Sequence, residues 1–231
     1  MTNHRSEPPA PALDWEEIDD VLLDMDGTLL DRHFDNFFFE EELPRRYAAL
    51  QGLAVDVARD RLMGLYRSVE GELAWTDLHY WTERVGLDVV AMHRELDHMI
   101  GFLPDAPEFL SQLRVAARVT ILTNAHRAGV EVKAAKTGLD QQVDRIVDAF
   151  EVGYLKMRQE YWPACQRLRG SIRAARSLST MMNGALAAAQ RLAWADLFIA
   201  PSPVRSFPPE LSDRFHSIES SSVLSDGRRP S

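Results

Sequence analysis

Two aspartates separated by one residue are the part of this sequence best suited to chemistry. Asp24 and Asp26 lie in Asp24-Met25-Asp26-Gly27-Thr28, directly after the apolar run Val21-Leu22-Leu23. Such a run predicts a buried strand, and residues i and i+2 project to the same side, so both carboxylates can enter one crevice. One carboxylate can attack phosphorus while the other transfers the proton of the leaving group. This stretch therefore predicts phosphoryl chemistry rather than a solvated acidic turn.

A second polar pair follows another apolar run. Thr123 and Asn124 come after the predicted strand Val119–Leu122 and just before a predicted helix from Arg127 to Thr137. A hydroxyl and an amide at a strand end, next to the free N–H groups of a helix N-terminus, can form a phosphate cradle. Taken alone, the pair could be an ordinary helix cap. Its order after Asp24 favours the cradle, whereas His126 is interpreted as a helix-start residue that faces solvent.

The elements that must position these residues fall into two patterns. Between residues 32 and 103 strand signals are almost absent and apolar residues recur at helical spacing, whereas from Asp105 onward helices alternate with the strands Val119–Leu122, Val143–Val147 and Leu197–Ile199. This order predicts an α/β fold with a doubly wound parallel sheet and a helical insertion after the first strand. Met63, Met92, Met99, Trp75 and Trp81 are expected to fill the core of the insertion.

Several of these residues match a known family. The chain resembles the haloacid dehalogenase-like (HAD) superfamily, whose first motif is D-x-D-x-T. Over about residues 15 to 165 it is similar to the bacterial GMP/IMP nucleotidase subgroup. The resemblance rests on five stretches: residues 21–31, Phe34-Asp35-Asn36, Tyr80-Trp81, Gly86-Leu87-Asp88 and Leu122-Thr123-Asn124-Ala125-His126.

The resemblance implies a fold and a division of the chain. The expected HAD-like Rossmannoid core spans residues 16–31 and 104–200, and a helical cap over the active site spans residues 32–103. Residues 1–15 form a Pro-rich arm that is expected to be disordered, and residues 201–231 form a polar tail that is expected to be flexible.

The resemblance also implies Mg²⁺-dependent hydrolysis of a phosphomonoester. Asp24 would be the nucleophile and Asp26 the acid and base. Thr123 would be the second motif, and Lys156, in Gly153-Tyr154-Leu155-Lys156, would be the third. Metal ligands would be a carboxylate oxygen of Asp24 and the backbone carbonyl of Asp26, and the phosphate would be bound by Gly27, Thr123, Asn124 and Lys156.

The substrates that the resemblance implies are purine nucleoside 5′-monophosphates such as GMP and IMP. Another small phosphorylated metabolite, such as a sugar phosphate or phosphoglycolate, is the alternative within enzymes. Leu155 stands where the subgroup has proline, and this departure is expected to loosen the loop that carries Lys156.

The fourth HAD motif departs from the family pattern. The family places acidic metal ligands after the next strand, but this chain has Ser177-Leu178-Ser179-Thr180-Met181-Met182-Asn183-Gly184 there, with no carboxylate between Glu160 and Asp196. Thioethers do not bind Mg²⁺, so weak metal binding is expected. Divergence to a catalytically silent HAD-fold binding protein is one explanation.

The other explanation is a shift of the reading frame. If the codon for Thr180 ends in G, the bases for residues 180–183 contain GAT-GAT-GAA in the adjacent frame, which encodes Asp-Asp-Glu. The same shift at Ser171-Ile172-Arg173 can give Phe-Asp-Pro, and sequencing the gene across residues 168 to 206 would decide between the two explanations.

Composition is consistent with a cytoplasmic enzyme. The 231 residues are 45% hydrophobic, enough for a full core, and the net charge of −9 argues against nucleic-acid binding. The single cysteine, Cys165, forms no internal disulfide and is expected to be a core residue. The polar N-terminus predicts no secretory signal, and no stretch is apolar enough to predict a membrane span.

Overall fold

A five-stranded parallel sheet forms the centre of the molecule. The computed structural model describes residues 20–168, 177–180 and 197–199. The strands are β1 (Asp20–Leu23), β2 (Arg118–Thr123), β3 (Arg145–Asp148), β4 (Ser177–Thr180) and β5 (Leu197–Ile199), in the order β3-β2-β1-β4-β5.

The central position of β1 determines where ligands can bind. Leu23 pairs with Ile121 of β2 on one side, and Leu22 pairs with Ser179 of β4 on the other. The strand order therefore reverses direction at β1, and open parallel sheets bind ligands at the carboxyl ends of the strands that flank such a switch. The α/β class and the doubly wound parallel sheet predicted from the sequence are confirmed.

Helices occupy most of the chain between β1 and β2. They are α1 (His33–Phe37), a π-helical turn (Phe38–Glu42), α2 (Leu43–Gln51), α3 (Val55–Ser68), α4 (Leu78–Val85) and α5 (Val89–Glu95), with 3₁₀ turns at Leu73–Trp75 and Asp97–Met99. Asp77 begins α4 by accepting hydrogen bonds from two backbone N–H groups, and α4 ends at Gly86, whose φ of 73° suits a glycine.

The remaining helices alternate with the strands. They are α6 (Ala106–Ala116), α7 (Arg127–Thr137), α8 (Ala149–Val152) and α9 (Tyr161–Leu168), with a 3₁₀ turn at Leu139–Gln141. The predicted bounds of α7 are correct: it ends at Gly138, which adopts a left-handed conformation.

The apolar core runs without a break from the sheet into the helices of residues 32–103. One cluster contains Val21 and Ile121 of the strands together with Phe34, Leu62 and Trp81 of the helices. Backbone hydrogen bonds also join the two segments that connect the sheet to these helices. The N–H of Leu103 donates to the carbonyl of Leu29 (2.8 Å), and the N–H of Asp31 donates to the carbonyl of Gly101 (3.0 Å). The division into a core and a cap therefore remains a proposal, and the predicted N-terminal arm and C-terminal tail lie outside the described residues.

Two further predictions concern the single cysteine and the membrane-spanning potential of the helices. Cys165 is buried, as predicted. Among the helices that the structure describes, none is both long and apolar enough to cross a membrane.

Candidate active site

The loop after β1 directs both aspartates toward one cavity. The carbonyl of Met25 accepts hydrogen bonds from the N–H groups of Leu29 and Leu30, both at 2.9 Å. The Met25 side chain is fully buried, so it anchors the loop while Asp24 and Asp26 line the cavity.

Gly27 shapes this loop but does not line the cavity. Its φ is 81°, and a Cβ at this position would lie 2.8 Å from Cδ of Arg32, so a side chain is strained by both the backbone and a neighbour. Its N–H donates to the carbonyl of Leu30 at 2.8 Å. The role of Gly27 in binding phosphate stays a prediction; in this structure its N–H group is used within the loop.

Asp24 forms a buried ion pair. Oδ2 lies 2.7 Å from Nζ of Lys156, and Oδ1 accepts a hydrogen bond from the N–H of Met25 at 2.7 Å. Nζ of Lys156 also donates to the carbonyl of Leu122, at 3.0 Å. Burial raises the pKa of Asp24, and the Lys156 ammonium opposes this shift. The chain thus holds a carboxylate and an ammonium group side by side at the carboxyl end of β1.

Asn124 fixes the backbone of the loop that carries Lys156. Its Oδ1 accepts a hydrogen bond from the N–H of Lys156 at 2.9 Å, and Nε1 of Trp162 donates to the carbonyl of Lys156 at 3.2 Å. Leu155, which was expected to loosen the loop, is buried. The amide NH₂ of Asn124 remains the part of this side chain that could donate to a phosphate.

Thr123 ends β2 beside this loop. Its Oγ1 accepts a hydrogen bond from the N–H of Ala125 at 3.0 Å, and the side chain lines the same cavity as Asp24. Because the hydroxyl group is used here as an acceptor, its own hydrogen stays available for a ligand oxygen. The structure thus brings Asp24, Asp26, Thr123, Asn124 and Lys156 together in one cavity.

Asp26 contacts a second buried cation that the sequence analysis missed. Nζ of Lys133, on α7, lies 2.7 Å from Oδ1 of Asp26 and 2.8 Å from both carboxylate oxygens of Asp35, on α1. Burial raises the pKa of Asp26; Lys133 opposes this shift, and Asp35 reinforces it. Burial by itself would lower the pKa of Lys133, but the two carboxylates outweigh it and raise that pKa.

A signal for Lys133 was present in the sequence. Gly129 and Lys133 are four residues apart and so share one face of α7, and His126 lies just before the helix, three residues ahead of Gly129; all three line the cavity. Lysines on helices are normally exposed, so the spacing alone did not predict that Lys133 lines the cavity.

The cavity has a volume of about 460 Å³ and is lined by both the sheet side and the helical segment. Only part of its charged lining comes from the carboxyl ends of the strands, since Lys156 follows α8, Lys133 lies on α7 and Asp35 lies on α1. The helical segment supplies charged and polar side chains such as Arg32, Glu40 and Arg67 together with five apolar or aromatic ones: Phe39, Met63, Tyr66, Trp75 and Leu78. Met63 and Trp75 are therefore not core residues, since 39% and 37% of their surfaces are exposed, whereas Trp81 and Met92 are buried as predicted.

His126 also differs from its prediction. It precedes α7, as expected, and its Nδ1 accepts a hydrogen bond from the N–H of Ala128 at 3.2 Å. Its ring packs edge-on against those of His79 and Phe150, and only 11% of the side chain is exposed, so it does not face solvent.

The described residues supply only part of a magnesium site. They contain no group of three or more His, Cys, Asp or Glu side chains placed to hold a metal. Asp148, a possible substitute ligand, uses Oδ1 to accept hydrogen bonds from the N–H groups of Phe150 and Glu151 at the start of α8. The carboxylate of Asp24 and the carbonyl of Asp26 remain. Since Mg²⁺ is often held by one or two carboxylates together with substrate phosphate and water, these donors fit the ion but provide few charges.

The fourth-motif position is only partly described. β4 ends at Thr180 and runs parallel to β1, so the carboxyl ends of the two strands are neighbours. Residues 181–184 and Asp196 lie outside the described residues.

Comparison with known proteins gives the family. The model for haloacid dehalogenase-like hydrolases matches residues 21–199. The chain is 38% identical over 165 residues to the GMP/IMP nucleotidase YrfG of Escherichia coli strain K12, covering 71% of this chain and 74% of that protein.

Solved structures agree on the fold. A HAD phosphatase from Thermococcus onnurineus has a TM-score of 0.72 at 17% identity, with 90% of this chain and 97% of that chain covered. A HAD hydrolase of Bacillus subtilis, YfnB, solved with magnesium, has a TM-score of 0.56 at 16% identity, with coverage of 90% and 97%. The chain belongs to the haloacid dehalogenase-like hydrolases.

Proposed function

We propose that the chain is a phosphomonoesterase that acts on purine nucleoside 5′-monophosphates through an aspartyl-phosphate on Asp24. The observation that carries the proposal is the ion pair between Asp24 and Lys156, which lies beside Asp26 in a cavity large enough for a small metabolite. Similarity to a GMP/IMP nucleotidase supports the substrate class.

In the first step a carboxylate oxygen of Asp24 attacks phosphorus, and the bond from phosphorus to the ester oxygen breaks. The leaving oxygen takes a proton from Asp26 and departs as an alcohol. In the second step a water molecule gives its proton to Asp26 and attacks the same phosphorus, and the bond to Asp24 breaks. The products are inorganic phosphate and a nucleoside.

The surrounding residues position the phosphoryl group and balance its charge. The Lys156 ammonium, already 2.7 Å from Asp24, is placed to bind an oxygen of the phosphoryl group, and the Thr123 hydroxyl and Asn124 amide can donate hydrogen bonds to others. Mg²⁺ held by the Asp24 carboxylate and the Asp26 carbonyl would supply further positive charge opposite the phosphoryl oxygens.

The aromatic side chains of the cavity support a nucleoside as the leaving group, because its base is flat and aromatic. Phe39, Tyr66 and Trp75 present aromatic surface to the cavity, and purines stack on such side chains. The Tyr66 hydroxyl is buried and has no hydrogen-bond partner among the described residues. A hydroxyl buried in this way is out of reach of a ligand in the cavity, so Tyr66 would contact a base through its ring.

The test is a panel of phosphate esters incubated with Mg²⁺: GMP, IMP, a sugar phosphate and phosphoglycolate. We expect the highest kcat/KM with GMP or IMP. Asp24→Asn should abolish phosphate release and the trapped phosphoenzyme but leave the fold intact, because amide and carboxylate have similar volumes; Tm should fall, because the buried Lys156 ammonium loses its ion-pair partner. Asp140→Asn, at an exposed position outside the cavity, is the matched control. Retained turnover by the Asp24 variant would refute the mechanism.

One observation favours a second candidate, a catalytically silent protein that binds phosphorylated ligands. The sequence has no carboxylate between Glu160 and Asp196, where the family places metal ligands. In the same panel, calorimetric binding of GMP or IMP without any release of phosphate would select this candidate.

A further inference from the structure

Lys133 is a buried cation placed between two carboxylates. Only 5% of its side chain is exposed, and it contacts Asp26 and Asp35 at 2.7 and 2.8 Å. Its ammonium also lies 5.7 Å from the centre of the Phe34 ring. Burying such a charge costs several kcal/mol unless it is paired, and an apolar side chain would fill the same space without that cost. The choice of lysine therefore points to a role beyond packing.

The contact leaves one oxygen of Asp26 available. Among the described residues, Lys133 is the sole hydrogen-bond partner of the Asp26 carboxyl group, and the bond uses Oδ1. Asp26 and Lys133 both line the cavity, and 22% of the Asp26 side chain is exposed. With Oδ1 held, the rotamer of Asp26 is restricted, and Oδ2 is the atom that can exchange a proton with a ligand.

Asp35 holds Lys133 in turn. Both of its carboxylate oxygens accept from the same ammonium, and Asp35 is on α1, whereas Lys133 is on α7. The α7 helix starts shortly after Thr123 and Asn124, so one rigid element connects the phosphate side of the cavity with the cation on Asp26.

We propose that Lys133, anchored by Asp35, is a positioning residue that orients Asp26 for proton transfer to the leaving oxygen. This rests on the proposed function. In the step concerned, the bond from phosphorus to the leaving oxygen breaks and that oxygen takes the proton from Oδ2 of Asp26. A nucleoside 5′-oxygen is a poor leaving group without this proton, whereas p-nitrophenolate leaves as a stable anion.

The experiment compares kcat/KM for IMP and p-nitrophenyl phosphate, with Mg²⁺, in the full chain. This parameter includes the departure of the leaving group but not the later hydrolysis. Lys133→Met should lower kcat/KM for IMP by about 100-fold, the size of a general-acid effect, and that for p-nitrophenyl phosphate by less than about 3-fold. Lys136→Met is the matched control on the same helix, since Lys136 pairs at the surface with Asp97.

Asp35→Asn is the second variant, for the case that Lys133→Met does not fold. It keeps the ammonium but weakens its anchor, and it should lower kcat/KM for IMP by about 10-fold with little effect on the aryl ester. An equal fall for both esters, or no fall for either, in a folded variant would overturn the positioning role while leaving the proposed function intact. A wild-type chain that releases phosphate from neither ester would overturn both.

A metal-free measurement checks the contact itself. Urea unfolding of Lys133→Met, Asp35→Asn and the double variant should show that the double variant loses less stability than the sum of the single losses, as expected for groups in direct contact. Additive losses of unfolding free energy would overturn the proposal, since the ion pair between Lys133 and Asp35 would then not form in solution.

Discussion

Asp24 and Asp26 each contact a different buried ammonium. Lys156 comes from the loop after α8, and Lys133 comes from α7. Two carboxylates this close in the sequence would otherwise repel each other in a buried site, and separate cations reduce that cost. Each pair therefore gives one carboxylate its own environment, as two groups with different tasks require.

Trp75 offers a test of how the base is recognised. Its ring lines the cavity, while its backbone carbonyl accepts the hydrogen bond from Trp81 Nε1, so a substitution keeps this bond. Trp75→Leu should raise KM for GMP and IMP by roughly 10-fold, the loss of one stacking contact of about 1.4 kcal/mol. Steady-state kinetics with ribose 5-phosphate, which has no base, should show no change.

Val115→Ala is the matched control, because Val115 is an apolar residue that is 85% exposed and lies outside the cavity lining. An equal effect of Trp75→Leu on ribose 5-phosphate and on GMP would show that the ring shapes the site rather than recognising the base.

His93 should make stability depend on pH. The ring is buried among Phe34, Phe38 and Phe39, and its pKa is lowered to about 4, mainly by burial; Lys133 adds to this shift, whereas the Val89 carbonyl and Asp26 oppose it. The unfolded chain, with a pKa near 6.5, then binds more protons between about pH 6.5 and pH 4. Stability is therefore lost as the pH falls through this window, by about 2 kcal/mol between pH 7 and 5.

The measurement is urea unfolding at both pH values. His93→Gln, which cannot titrate, should remove this part of the pH dependence, and His98→Gln, at an exposed position, should preserve it. A wild type and a His93 variant that lose stability equally would contradict the prediction.

At the scale of elements, we expect the neighbouring ends of β1 and β4 to determine how well Mg²⁺ binds. Thr180 ends β4, and Met181 follows where the family has acids. Thr180→Asp together with Met181→Asp should raise Mg²⁺ affinity and phosphatase rate by at least about 10-fold, because hard oxygen donors replace a hydroxyl and a thioether.

Calorimetry measures the affinity, and phosphate release measures the rate. The matched control is Thr180→Asn with Met181→Asn, which adds amide oxygens without charge and should give a much smaller gain. If the unmodified chain already binds Mg²⁺ tightly and hydrolyses GMP at ordinary enzyme rates, Thr180 and Met181 do not limit metal binding and the prediction is wrong.

Local patterns predicted the elements, while the pairings between distant elements were not predictable. Apolar runs predicted β1, β2, β3 and β5 but not β4, whose sequence is Ser-Leu-Ser-Thr, and the glycine at residue 138 predicted the end of α7, because such signals lie within a few residues. Asp26 and Lys133 are 107 residues apart in sequence, so only the folded arrangement brings them together. Trp75 and Trp81 illustrate the same limit, since one lines the cavity and the other is buried.

At the scale of the whole molecule, the shared apolar core should make unfolding cooperative. The cluster joins strand residues such as Ile121 to helical residues such as Trp81. Urea unfolding followed by far-ultraviolet circular dichroism and by tryptophan fluorescence should therefore give coincident transitions. Separated transitions would show that residues 32–103 unfold as an independent unit.

The backbone hydrogen bonds at Leu29–Leu103 and Asp31–Gly101 join the two segments that connect the sheet to the helices, and we expect them to affect the order of folding. Asp20 and Arg118 are adjacent in the sheet but 98 residues apart, so pairing β1 with β2 requires the closure of a long loop. Because the contacts among helices α1 to α5 are local in sequence, we expect these helices to form early and their assembly to bring residues 31 and 101 within reach of each other. The sheet would then need to close only a short gap. A substitution that weakens these helices would thus slow the formation of strands it never touches.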